Sequence, residues 1–172
     1  NAFFIYNCHK IHTFQVLIKY SMNKLTTLVV FLFLVPFSIN AQQEEAVIKD
    51  IIIQLFDGMR NADSASVIKS FAPQAIMQTI AVNKEGKTMV RQELVSNFAS
   101  SVGKQEKGFL DEQITIETIK VDRSLAIVWT PYRFFYKGNF SHCGVNSFTL
   151  VKLDGVWKIN YIIDTRRKSD CN

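Results

Sequence analysis

Proline and glycine are scarce in this chain, three and seven in 172 residues. That excludes collagen-like and low-complexity sequence. Charged residues are 20% and hydrophobic residues 48%, proportions that exclude a disordered chain. Cysteine occurs only at Cys8, Cys143 and Cys171, and there is no C-x-x-C and no H-x-x-x-H. No zinc set is therefore expected. Past residue 41 the only histidine is His142. No glycine-rich phosphate loop follows a strand pattern, and no G-x-S-x-G elbow is found. The length suits one domain with a short extension and is too short for two separate cores. The second lobe of a dinucleotide enzyme does not fit, and no cofactor is expected.

Acidic residues are missing from the first 41 positions, which carry Lys10, Lys19 and Lys24. Lys24 precedes a nearly continuous apolar tract, Leu25 to Phe37, and Ser38-Ile39-Asn40-Ala41 follows it. A positive start, a short apolar stretch and a small residue at the cut make a secretory signal. A membrane span needs about 20 apolar residues, more than this tract offers. Residues 22–41 are read as a signal peptide cut after Ala41, and residues 1–21, before Met22, as an over-extended leader. The expectation is export to the periplasm or the medium, with no stable membrane anchor after cleavage. Beyond the cut, 17 basic residues face 15 acidic ones, so the excess positive charge sits mostly in the leader. A nucleic-acid footprint needs clustered Lys and Arg, and only Arg166-Arg167-Lys168 qualifies. No nucleic-acid partner is expected.

Helical patterns come first and strand patterns last, which predicts an α+β fold. From Glu44 to Asn61, Ile48, Ile51, Ile52, Leu55, Phe56 and Met59 recur on one helical face. Asp63 is a predicted N-cap for a second helix carrying Val67, Ile68 and Phe71, ended by Ala72-Pro73. A short strand near Ala75–Ile80 and a turn at 84–87 follow. Thr88 is predicted to cap a third helix with Leu94, Val95, Phe98 and Val102 inward, stopped by Gly103. Beyond Gly108 the period becomes two. Strands are predicted over Gln113–Val121, Leu125–Tyr136, Phe140–Leu153 and Val156–Thr165, with Pro131 marking an edge or a bulge.

Asp154-Gly155 is a two-residue hairpin signal that sets a register. With Leu153 opposite Val156, one face holds Asn146, Phe148, Leu150, Trp157, Ile159, Tyr161 and Ile163. The other holds Val145, Ser147, Thr149, Val151, Lys158, Asn160, Ile162 and Asp164. The first is the core face. The second meets water or a second copy of the chain. Three N-terminal helices on a curved antiparallel sheet enclose a cavity.

The run Trp129-x-Pro131-Tyr132-x-Phe134, Gly138-x-Phe140-Ser141-His142-Cys143-Gly144-Val145-Asn146-x-Phe148, Gly155-x-Trp157-Lys158-Ile159 and Ile163-Asp164-Thr165-Arg166-Arg167 resembles the lumazine-binding branch of the nuclear transport factor 2-like superfamily, which also holds SnoaL-like proteins. With the helix order before it, the resemblance spans residues 43–167, leaving 168–172 as a tail. It implies the cystatin-like cone, a small organic ligand, and a homodimer paired through the sheets. It implies no particular reaction, because the superfold hosts both enzymes and binding modules.

The candidate ligand-binding residues are His142, Asn146, Trp129, Tyr132, Tyr161, Asp164 and Arg166. His142 falls on the core face; it is a ligand contact, a general base, or a rim histidine that fixes a turn. The register turns Asp164 away from it, unless a bulge at Gly144 reunites them. Asn146, on an apolar face, bonds backbone or reads a ligand. Trp129, Tyr132, Trp157 and Tyr161 line a pocket or fill the core. Arg166 clamps an anion or sits in a solvated tail. Cys143 and Cys171 form a bridge or remain two free thiols. The reading is a non-catalytic binder. The alternatives are a cofactor-independent isomerase or dehydratase with His142 as base, and a structural module with a filled interior.

Overall fold

The computed structural model describes the backbone of residues 24–171 and the side chains of residues 42–171. The expected leader, and all but the helical backbone of the expected signal segment, lie outside the described residues. The elements are α1 (Lys24–Arg60), α2 (Ser64–Ser70), β1 (Phe71–Val82), β2 (Thr88–Leu94), α3 (Val95–Gly103), β3 (Leu110–Ile114), β4 (Thr118–Asp122), β5 (Leu125–Tyr136), β6 (Asn139–Leu153) and β7 (Val156–Thr165). Among the described residues no helix is long and apolar enough to cross a membrane.

The α1 stripe is buried as its spacing predicts. Ile48, Ile52, Leu55, Phe56 and Met59 are all in the core. Burial of such side chains is worth about 1.5–3 kcal/mol each, which makes it the dominant force docking this helix. Two polar contacts fix its rotation. The Glu44 carboxylate accepts from Lys152 Nζ at 2.7 Å and from the indole N–H of buried Trp157. At the other end Arg60 bonds Asp111 of β3 at 2.8 Å. Asp63 caps α2 as expected, accepting from the amides of Ala65 and Ser66, a cap worth about 1 kcal/mol. Of its apolar residues Val67 is buried and Ile68 exposed, and Phe71 is buried as the first residue of β1 rather than on the helix.

The sheet runs β2-β1-β7-β6-β5-β3, with β4 also on β5. The α+β expectation holds, with a mixed sheet: β1 lies parallel to β7 and the other pairs are antiparallel. Thr88 does not cap a helix. Residues 88–94 form β2, an exposed edge strand on β1, and Leu94 is exposed where an inward position was expected. The helix starts only at Val95.

Lys137-Gly138 and Asp154-Gly155 both have positive φ at each residue, which is the backbone of tight hairpin turns. Pro131 lies inside the sheet, on β5, not at an edge. Opposite it, between Ile114 and Thr118, the pairing slips by one residue and splits the predicted Gln113–Val121 strand into β3 and β4. The proline has no N–H to give a ladder, so the irregularity falls where no bond is lost.

Candidate functional site

Two irregularities of register place the polar groups. Along β6 and β7 the pairing starts as predicted, with Leu153 opposite Val156 and Leu150 opposite Ile159. Then Thr149 pairs with Tyr161, so Asn160 is bulged out, and it is exposed. An extra residue inverts the alternation beyond it. Ile162 and Asp164 therefore turn inward and are buried. This corrects the expected register: Asp164 lies opposite Asn146, on the same face. The bulge is at Asn160 and not at Gly144, which pairs regularly with Tyr132. A second slip, at Ser141, lets His142 sit opposite Phe134.

Asp164 is held by three donors. Thr79 Oγ1 lies 2.6 Å from Oδ1, while the Tyr132 hydroxyl at 3.0 Å and Arg166 Nε at 2.8 Å share Oδ2. Arg166 also donates to Thr79 Oγ1 at 3.2 Å. The Tyr132 hydroxyl lies 2.9 Å from the Thr165 carbonyl as well. Burial first, and then the charges of Asp164 and Glu112, push the phenol well above its ordinary range, so Tyr132 stays a neutral donor. For Arg166 burial alone would lower the pKa. The bond to Asp164 and its charge outweigh that, and the guanidinium is held above its usual value.

Asn146 Nδ2 donates to Glu112 Oε1 at 2.8 Å. Both are inward residues, Asn146 buried and Glu112 half-buried on β3 between Leu110 and Ile114. Burial is the main cause that pushes Glu112 up to about 7. The Asn146 bond opposes the shift, Asp164 adds to it, and Arg166 opposes it. His142 is half-buried, with its ring 5.7 Å from that of Tyr132 and 5.1 Å from that of Phe134. Its Nδ1 lies 3.0 Å from Ser141 Oγ. Burial, then Arg166, lowers its pKa, with Asp164 opposing, so the ring is neutral at pH 7.

These groups line a half-open cavity of about 270 Å³. Its apolar wall comes from α1 (Leu55, Phe56, Met59), from α3 (Phe98, Val102) and from Phe134 of β5. Its polar wall holds Glu112, His142, Asn146, Asp164 and Arg166, with Thr79 and Gln78 beside them. The volume is near the lower end of small-molecule sites, about 300 Å³. An apolar wall facing a few convergent polar groups is the composition of such a site.

Of the predicted residues, His142, Asn146, Asp164 and Arg166 come together here. Tyr132 does not line the cavity; it is buried behind it and positions Asp164. Trp129 and Tyr161 are corrections. Trp129 is 46% exposed on the opposite face of the sheet. The Asn160 bulge turns Tyr161 to that same face, where its hydroxyl donates to Gln78 at 2.7 Å. Trp157 is plain core. The Asn160 bulge brings Asp164 to the face of His142, yet no bond joins the two, because three donors already take both carboxylate oxygens of Asp164.

Glu112 was missed. The alternation Leu110-x-Glu112-x-Ile114 is the signal that marks it, an acid on the apolar face of a strand. Among the described residues no group of three or more His, Cys, Asp or Glu could hold a metal ion. Cys143 and Cys171 form a disulfide. Cys143 also pairs with Arg167 through two backbone hydrogen bonds of 2.9 Å, one residue further along the chain than the regular register predicted.

Comparison with known proteins places the chain. The family described as "Putative lumazine-binding" matches residues 43–161. A crystal structure of an NTF2-like protein of unknown function from Shewanella baltica is similar, with TM-score 0.59 and 16% identity over 74% of this chain and 96% of that one. A domain of unknown function with a cystatin-like fold from Nostoc punctiforme aligns with TM-score 0.57 and 17% identity, over 73% of this chain and 78% of that one. At these identities the likeness is one of fold. No curated protein matches the chain significantly.

Proposed function

The chain belongs to the Putative lumazine-binding family, of the NTF2-like superfamily, and on that premise we propose that it is an exported, non-catalytic binder of a small organic molecule. One observation carries the reading: the half-open cavity of about 270 Å³, mainly apolar on the helix side, with Glu112, His142, Asn146, Asp164 and Arg166 set beside Phe134 on the sheet side. Arg166 and Asp164 neutralise each other there, and His142 is neutral, so the wall offers hydrogen bonds more than net charge. The signal peptide 22–41 would deliver the protein outside the cytoplasm. Native mass spectrometry of protein from its own host tests this. A bound small molecule, and a chain starting after Ala41, are expected. An empty cavity in every preparation would overturn the binding reading, and a retained signal peptide would overturn export.

The outward sheet face carries Leu125, Ile127 and Trp129, each more than 45% exposed. This is the face on which a homodimer would pair. Trp129→Asp is expected to turn a dimer into a monomer in analytical ultracentrifugation, and a monomeric wild type would overturn the pairing.

A second reading, a cofactor-independent isomerase or dehydratase, is favoured by one observation. Glu112, pushed up to about 7 and facing the cavity, is a better proton carrier than His142, the base expected from sequence. Turnover of a co-purified ligand that is lost in Glu112→Ala would establish it.

A further inference from the structure

Among the described residues β2 bonds β1 on one side and no strand on the other. All seven of its residues, Thr88–Leu94, are exposed. A free edge carries a row of backbone N–H and C=O groups that can pair with a further strand, and proteins block such edges with proline, bulges or charge. The run Thr88-Met89-Val90-Arg91-Gln92-Glu93-Leu94 has no proline, and its register with β1 is regular from end to end. Its only charges are Arg91 and Glu93. They hinder a further strand unless that strand sets an opposite charge against each. Neither has an ion-pair partner among the described residues. Arg91 lies opposite Thr79 and Glu93 opposite Met77, so both are on the cavity side of the sheet. Val90, Gln92 and Leu94 share the outward side with Ile80, Gln78 and Ile76, and Val90, Leu94 and Ile76 are exposed there.

A second copy of the chain supplies the complement. In antiparallel pairing about a two-fold axis, directly opposite residues share a face. A centre at Arg91 sets arginine against arginine, and a centre at Glu93 sets glutamate against glutamate. Like charges directly opposite are destabilising. A centre at Gln92 sets Arg91 against the partner's Glu93, and Glu93 against the partner's Arg91. On the outward face it sets Val90 against Leu94 twice and brings the two Gln92 amides together. We propose that the β2 edges of two copies pair antiparallel about Gln92, joining two sheets into one. Glu93 lines the cavity, so the partner's Arg91 would bring a counter-charge to that wall. The overlap spans only residues 90–94, well under the area of a standard interface, about 1,600 Å². The contact is therefore weak and fills at roughly millimolar chain. It is separate from pairing through Trp129, which lies on β5.

Charge reversal tests this in full chains that all carry Trp129→Asp, so that the outward face of β5 takes no part. Small-angle X-ray scattering reads the average mass up to about 1 mM chain. The parent is expected to pass from monomer towards dimer over that range. Arg91→Glu is expected to associate about tenfold more weakly, because glutamate then faces glutamate twice. Glu93→Arg is expected to do the same, with arginine facing arginine. Mixed in equal amounts, these two variants match at both positions, and the dimer is expected to return. The double reversal, Arg91→Glu with Glu93→Arg, is expected to dimerise like the parent. The mixture also controls for folding, because two misfolded chains would not restore the dimer. A parent that stays monomeric to about 1 mM overturns the proposal and leaves the edge to a different strand. So does association of each single variant as strong as the parent's. So does a mixture that stays monomeric.

Discussion

Gly144 and Thr165 meet so closely that a Cβ on residue 144 would lie 1.8 Å from the residue 165 carbonyl oxygen. That same Cβ would lie 2.9 Å from the ring of Tyr132, which crosses Gly144 from the paired position on β5. Both obstacles belong to the scaffold that holds Asp164. Gly144→Ala must therefore move backbone, and its expected cost is about 3 kcal/mol or more. Gly103→Ala serves as the comparison, because its added methyl meets only the Ser64 side chain, at 3.2 Å. It is expected to change stability by less than about 1 kcal/mol. Urea unfolding of the two variants checks the contrast.

Glu112 makes stability depend on pH. Its folded pKa of about 7 lies above the ordinary glutamate value of 4.5, so the native state binds more protons between those values. Stability therefore falls as pH rises from 4.5 to 7, by roughly 3 kcal/mol in all, and is flat above. His142 works the other way: its lowered pKa means stability is lost as pH falls below about 6.5. Glu112→Gln keeps the acceptor for Asn146 and removes only the first effect. The difference between wild type and variant, measured by thermal unfolding from pH 4.5 to 8, is expected to grow in favour of the variant and to level off above pH 7.

Thr130 lies opposite Asn146, fully buried, and its hydroxyl has no hydrogen-bond partner among the described residues. An unpaired buried hydroxyl costs about 1–3 kcal/mol. Thr130→Val has nearly the same shape and is expected to be neutral or stabilising by about 1 kcal/mol. A loss of stability in the same urea assay would show that the hydroxyl does have a partner.

The disulfide from Cys143 to Cys171 closes a separation of 28 residues and pins the tail against β6. Within that loop Arg166 reaches back to Asp164 and Thr79 at the cavity wall. Cys171→Ser, or reduction, is expected to cost about 2–4 kcal/mol. It is also expected to speed hydrogen exchange at Arg167, whose amide bonds the Cys143 carbonyl. Unchanged exchange at Arg167 would mean that the backbone pairing holds the tail without the bridge.

The local features were legible in the sequence. The α1 stripe, the Asp63 cap and the Asp154-Gly155 turn each depend on residues within a few positions of one another. So did the resemblance carried by residues 129–167, and with it the family and the fold. His142 and Asn146 lie at the cavity wall from the face their alternation gave them, and Arg166 lies there too, where a solvated tail was the other reading. Asp164 arrived by a route the simple alternation denied, and Trp129 and Tyr161 went to the other face. Residues 88–94 read as the start of a helix because Leu94, Val95, Phe98 and Val102 share a helical spacing, yet 88–94 became an edge strand.

The sequence by itself determined which segments are amphipathic, where the tight turns fall, and that one apolar sheet face would be covered by helices. These follow from side-chain periodicity and backbone preference, which act over a few residues. The tertiary structure alone decided the bulge at Asn160, the pairing of β2 with β1, and the meeting of Glu112 with Asn146 across 34 positions. A strand's period is two, so one extra residue inverts every side chain beyond it. Whether that residue is inserted depends on hydrogen bonds to distant strands, and those exist only once the sheet has formed.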